Sequence, residues 1–280
     1  MVEYDDEFED VIDRQELISE LEDLDLQAAS ALAELAETCH RVLPAEIIED
    51  RPDEEMTKLG GQPDLPEGFE WPRHNGIPLS FLGQIDFIED EMLVSFFYNC
   101  VDTPWGNEES DRGGARVYQF ARDRTFVQTP PPEDLSTDFQ FPEKASGISV
   151  DVQLPDSKSL LLQLAEIGEA DIARLADLEA EQNAGGEPAH HLFGYPMLIQ
   201  NDMEVQCELM SKGLPLDDVD DETVLEHLEN SQSWILLFQI DSDEAMGWNW
   251  GDSGKLYYWI HESDLSDLNF DNTWTILQSH

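Results

Sequence analysis

Two Gln-x-Asp triplets lead the residues able to do chemistry: Gln84-Ile85-Asp86 and Gln239-Ile240-Asp241. In a strand, residues two apart share a face, so each amide sits beside its own carboxylate. If the two pairs met, two amides and two carboxylates would make a polar pocket for a small ligand. The carboxylates could then work as acid and base. The same residues have a plainer use, glutamine capping nearby backbone and aspartate starting the following turn.

Further candidates surround them. The loop Gly247-Trp248-Asn249-Trp250-Gly251-Asp252-Ser253-Gly254 combines aromatics, glycines and an acid. It could stack a planar or sugar-like ligand, with Trp250 and Asp252 in contact, or form a turn whose indoles roof the core. Trp105-Gly106 in the first half is its counterpart. Asp241, Asp243 and Glu244 with Asn249 and Asp252 offer oxygen ligands. A calcium loop needs glycine at its sixth position, where Met246 stands, so no dedicated metal site is expected. Arg112, Arg116, Arg122 and Arg124 form the one positive island. They could clamp phosphate or carboxylate bidentately, or pair with the chain's own acids. His190-His191 lacks a third ligand and a chelating spacing. Serine-hydrolase, P-loop and dinucleotide signatures are absent. Cys39, Cys100 and Cys207 are odd in number and far apart, which reads as buried reduced thiols.

The elements that must position these residues are mostly strands. Leu79 to Phe87 and Met92 to Asn99 read as a hairpin around Glu89-Asp90-Glu91, and Ala115 to Phe120 and Ile148 to Leu154 as further strands. From Arg14 to Val42 a stripe of Leu17, Leu21, Leu24, Ala28, Ala31, Leu35 and Val42 predicts one helix, ended by Pro44. Glu169 to Glu181 predicts another, closed by Gly185-Gly186. The later strands repeat the earlier ones in order. Leu59-Gly60-Gly61-Gln62-Pro63 matches Leu192-Phe193-Gly194-Tyr195-Pro196, which adds Tyr195 to the candidates. Phe81 to Asp86 matches Leu236 to Asp241, and Phe96-Phe97-Tyr98 matches Tyr257-Tyr258-Trp259. The second copy carries a helix-like insert near Asp220 to Asn230, and both copies end in one more strand, the second at Trp274 to Gln278.

These stretches carry a family resemblance. GGQPDLPEGFEWPRHNGIPLSFLGQIDF, TPWG with DRGGARVY, HHLFGYPMLIQNDMEVQCEL and WILLFQIDSDEAMGWNWGDSGKLYYWI resemble the YwqG-like family of uncharacterised bacterial proteins. The likeness runs from Leu59 to the C-terminus. It implies a cytoplasmic α+β protein with no established activity and no catalytic residues to carry over. Some members lie near polymorphic-toxin genes, which suggests an immunity role by analogy.

Charge narrows the function classes. The 280 residues hold 14 Lys plus Arg against 63 Asp plus Glu, a net charge of -49, yet 40% are hydrophobic. The chain therefore folds rather than staying disordered. Its charge argues against nucleic-acid binding and against docking on anionic lipid. Every block of the chain is acidic, which reads as a solvated, salt-adapted surface or as one built to hold a basic partner. The first residues lack a signal-peptide pattern, no stretch reads as a membrane span, and a cytoplasmic location is expected.

The resulting expectation is an acidic leader over 1–13 and one α+β domain over 14–280. Its parts are a helix over 14–43, a first β unit over 59–120, a linker and helix over 121–190, and a second β unit over 191–280. The two antiparallel units are expected to pack about a pseudo-two-fold, a duplication. The leading function is non-enzymatic binding of a basic protein, of which a toxin inhibitor is one case. The alternative is a small-molecule binder or enzyme using a pocket between the units, with no metal or cofactor. Its candidate residues are Gln84, Asp86, Gln239, Asp241, Trp250, Asp252, Tyr195, Arg112 and Arg116.

Overall fold

The computed structural model describes residues 12–45, 55–214 and 219–280, so most of the acidic leader lies outside the described residues. Helix α1 (Arg14–Asp23) starts at Asp13, whose side chain accepts the N–H groups of Gln15 and Glu16. This is the usual way to satisfy the unpaired donors of a first turn. The expected single helix does not continue to Val42. Asp25 turns the chain with φ 64°, a short helix α2 (Ala29–Glu34) follows, and Glu37–Pro44 is strand β1. The apolar spacing fits a helix up to Leu35. Beyond it, pairing along all eight residues of β1 overrides the local pattern.

The Gly- and Pro-rich stretch holds four short strands: β2 (Lys58–Leu59), β3 (Asp64–Pro66), β4 (Arg73–His74) and β5 (Ile77–Pro78). Then come β6 (Ser80–Phe87), β7 (Met92–Tyr98), β8 (Ala115–Ala121), β9 (Phe126–Gln128) and β10 (Lys144–Gln153). Helices α3 (Leu160–Leu164) and α4 (Glu169–Asn183) lead to β11 (His191–Leu192). Helices α5 (Glu204–Ser211) and α6 (Asp221–Ser231) precede β12 (Trp234–Asp241). Strand β13 (Lys255–His261), helix α7 (Glu262–Ser266) and β14 (Trp274–Gln278) end the chain.

The main sheet has ten strands in the order β14-β13-β12-β11-β1-β10-β2-β6-β7-β8, all its pairs antiparallel. It is a mixed α/β molecule dominated by one sheet. The two β units are therefore flanks of that sheet, not separate sheets laid face to face. Outward from the central β1–β10 pair, each flank runs through four strands in chain order. Both hairpins shift register at matching places, Phe81/Gly83 and Leu236/Phe238. Each shift leaves a leucine, Leu82 or Leu237, in the same interior cluster. At the centre Leu43 lies opposite Gly147.

The sheet curls until its flanks touch, giving a nearly closed barrel. Phe96 of β7 meets Phe238 of β12 edge-on at 4.8 Å, and Tyr258 O–H donates to Phe97 O at 3.2 Å. Such aromatic pairs add about 1 kcal/mol beyond their buried area. A strap from the β7–β8 loop closes the seam. Leu277 N donates to Trp105 O, and Trp274 Nε1 to Gly106 O. Outside the barrel, α5 covers the second flank through Met203, Cys207 and Met210. Helices α1 to α4 build a separate apolar layer around Leu21, Leu32, Leu162 and Leu175. Among the described residues, no helix is long and apolar enough to cross a membrane.

Candidate functional site

The two Gln-x-Asp pairs point to the outer face of the sheet, each into its own flank, and do not meet. Gln84 Oε1 accepts Asp64 N at 2.9 Å, and Gln239 Oε1 accepts Met197 N at 2.8 Å. Their Nε2 groups donate to Met56 O at 2.9 Å and to Ala189 O at 3.0 Å. Asp86 Oδ2 accepts Met56 N at 2.8 Å, and Asp241 Oδ2 accepts Ala189 N at 3.1 Å. Asp86 N donates to Thr57 Oγ1, and Asp241 N to His190 Nδ1. In each flank the pair stitches the segments before and after a two-residue strand onto its long neighbour. Both glutamines are fully buried. Their amides are spent on backbone, so no ligand pocket forms between the flanks from these four side chains.

Replacing either glutamine by alanine leaves a buried N–H and a buried carbonyl unpaired. We expect Gln84→Ala and Gln239→Ala each to lose roughly 3 kcal/mol of stability in urea denaturation. A loss under about 1 kcal/mol for both would show that these amides do not hold the fold.

The other sequence candidates are dispersed. Arg112 is bound by Glu109 at 2.8 Å and donates to Met210 O and Ser211 O, with its guanidinium 5.0 Å from the Trp274 ring. Arg116 lies against Gly113, and Arg122 pairs with Asp86 at 2.8 Å from the other end of β8. The arginines therefore do not converge on one anion. Trp250 is 3% exposed, with its indole N–H on Asp241 O and its ring edge-on to Tyr98. It roofs the core and leaves no face for stacking. Asp252 is exposed on the adjoining turn. Tyr195 O–H donates to Leu35 O at 2.6 Å, anchoring the turn after β11. Asp243 is 3% exposed and accepts the N–H groups of Ala245 and Met246, so the calcium-like spacing is an aspartate-stabilised turn. Among the described residues no three metal-binding side chains come together.

Where the flanks differ, they differ in chemistry. His190 stands where the first flank has Thr57. Its Nδ1 accepts a backbone N–H, so its proton sits on Nε2, 3.6 Å from Asp243 Oδ2. Lys144 Nζ lies 3.7 Å from the same oxygen. These neighbours hold the Asp243 carboxyl down at about 2, the nearby His190 N–H contributing most. The lone pair on His190 Nδ1 is taken by the Asp241 N–H, so this imidazole has none free with which to act as a base. The thiols are equally quiet. Burial pushes Cys39 up to about 11 and Cys100 up to about 12.

His191 gives a pH dependence. Burial lowers its pKa to about 4, and Nε2 lies 3.0 Å from Tyr195 O. An unfolded histidine takes its proton near pH 6.5, which the folded ring refuses until about pH 4. Stability is therefore whole above pH 6.5 and declines between 6.5 and 4, by roughly 3 kcal/mol. Urea midpoints across this range should show that decline, and His191→Gln should flatten it. An unchanged slope in the variant would assign the decline to other groups.

A groove of about 1720 Å³ adjoins the second flank. It runs between α1 and α4, the 154–158 and 196–199 segments, and the loop after β12. Eight carboxylates and two lysines line it, among them Asp156, Glu187, Asp241, Asp243 and Glu244. Both lysines are engaged: Lys158 Nζ donates to Leu198 O at 2.7 Å, and Lys255 pairs with Asp241 at 2.9 Å. Leu17, Leu24, Leu178, Met197 and Ile199 supply the aliphatic lining. The sequence alone could not show this groove, because its walls come from five separate stretches.

A family model described as DUF1963, a domain of unknown function, matches residues 57–279. That is nearly the stretch that carries the resemblance read from the sequence. No curated protein matches the chain. Strand β1 precedes the matched residues, yet it sits at the centre of the sheet.

Proposed function

The chain belongs to the DUF1963 family, whose function is unknown, and on that footing we propose that it is a non-enzymatic binding protein that holds a basic protein partner in the groove. The observation that carries this reading is the groove's charge. Its carboxylates outnumber its lysines eight to two, and both lysines are already paired within the chain. The whole molecule, at -49, would steer a cationic partner toward that face and speed its capture. An inhibitor of a basic toxin is one relation of this kind, in keeping with the YwqG-like resemblance and a cytoplasmic setting. The acidity outside the groove we read as solvation suited to high salt.

We read the two flanks as copies of one ancestral module. Four equivalent hydrogen bonds and matching register shifts support that reading. On this view residues common to both copies serve the fold, and the groove is where the second copy diverged.

The test is affinity capture by the wild-type chain and by a Glu187→Lys, Glu244→Lys variant, both exposed at the groove. The wild type should retain a basic protein that the variant releases, and 1 M salt, where charges are screened beyond ~3 Å, should release it from both. Equal recovery by both chains would remove the groove from the interaction.

A further inference from the structure

The groove's two kinds of lining specify more than charge. Most of its aliphatic groups lie on the helical side, Leu17 of α1, Leu24 just after it, Leu178 of α4, and Met197 and Ile199 of the segment beside them, in company with Glu20 and Glu179. Leu24 is 39% exposed although it continues the apolar stripe of α1. The end of β12 and the loop after it bring Asp241, Asp243 and Glu244 with no aliphatic side chain larger than Ala245. An extended peptide turns its side chains to opposite sides at every residue, whereas a helix keeps one apolar stripe and one charged face. A helix is about 10 Å across and rises ~5.4 Å per turn. In volume alone the groove, about 1720 Å³, equals about four such turns.

A polar group left over beside the groove points the same way. Trp248 is 2% exposed, yet its indole N–H has no hydrogen-bond partner among the described residues. Trp248 lines the groove. A buried donor left over there favours an occupant that brings an acceptor of its own.

The chain's own segments make poor occupants. Residues 1–12 carry six acids and no Lys or Arg, and a second copy would bring a further -49. Either would set like charge against the carboxylates.

We propose that the groove takes a basic amphipathic helix of a partner protein, its apolar stripe on the α1–α4 wall and its lysines or arginines toward Glu187 and Glu244. This rests on the binding function proposed above and names the form the partner takes.

The test uses two synthetic peptides of about 18 residues, both made only of leucine and lysine in equal proportion. In one, leucines recur at i, i+3, i+4 and i+7; in the other the order is scrambled so that they fall on all sides. Calorimetric titration into the full chain at low salt should show the patterned peptide binding at least tenfold tighter, with a gain of helical circular dichroism in the complex. Leu24→Ser should erase that preference, and Glu187→Lys with Glu244→Lys should weaken both peptides. Equal binding of the two peptides to the wild type, weakened by the Lys variant, would overturn the helix while leaving the basic-partner groove standing. Binding of both peptides at the same level to the wild type and the Lys variant would overturn the groove as well. The comparison of peptides on the wild type needs no variant to fold.

Discussion

Asp86→Ala should lose about 3–5 kcal/mol of stability, far more than an average surface substitution. The Asp86 side chain is fully buried and pairs with Arg122, Nε to Oδ1 at 2.8 Å and Nη2 to Oδ2 at 3.0 Å. Its Oδ2 also accepts Met56 N. Deleting the carboxylate strands a largely buried guanidinium and a backbone donor together, which costs more than the pair contributes when intact. Asp241→Ala is the internal control. Asp241 holds the equivalent Ala189 N, but its carboxylate is 13% exposed where that of Asp86 is 0%, and it meets Lys255 through one contact in place of two. Water can take over part of that interaction, so the loss should be about half as large. Urea denaturation of the two variants checks this. Equal losses would mean that burial of the carboxylate does not set the cost.

The second large effect is expected at Gly106. Its φ is 82°, a conformation that L side chains avoid, and an added Cβ would lie 2.2 Å from Thr275 O and 3.1 Å from Ile276 Cα. Neither backbone atom can move aside cheaply, because Trp105 O accepts Leu277 N and Gly106 O accepts Trp274 Nε1 across the same seam. Gly106→Ala should therefore open the strap that closes the barrel, destabilising by more than about 3 kcal/mol. Gly76 supplies the comparison. It has nearly the same φ, 84°, with nothing within 4 Å of the added Cβ. Gly76→Ala should cost only the backbone strain, about 1–2 kcal/mol. Thermal melts of the two variants separate strain from collision, and similar melts would mean the seam yields.

The hairpins were legible because alternation, acidic turns and aromatic content act locally. Strand β1 was not. Leu35 and Val42 keep a helical spacing of seven, and nothing nearby announces that Glu37 to Pro44 will be paired by β10 and, at His40 and Arg41, by β11 on the other edge. The repeated Gln-x-Asp triplets were visible as a pattern, but their use was decided by Met56, Asp64, Ala189 and Met197, which accept or donate through backbone and leave no mark in residue type. The arginine island looked coherent along the chain. In space, β8 carries Arg112 and Arg122 to opposite ends, each to its own acid. The groove was least legible of all. Asp156, Glu187 and Asp243 are three acids among 63, and only the packing of α4 beside the second flank brings them together.

Hydrogen exchange of the full chain with and without the patterned leucine–lysine peptide tests the central claim most directly. The account predicts added protection over 154–158, 186–189 and 241–249 and along α4, with the equivalent first-flank segment, 86–94, unchanged. Protection shared equally by the two flanks, or confined to the outer faces of β6 and β12, would contradict it.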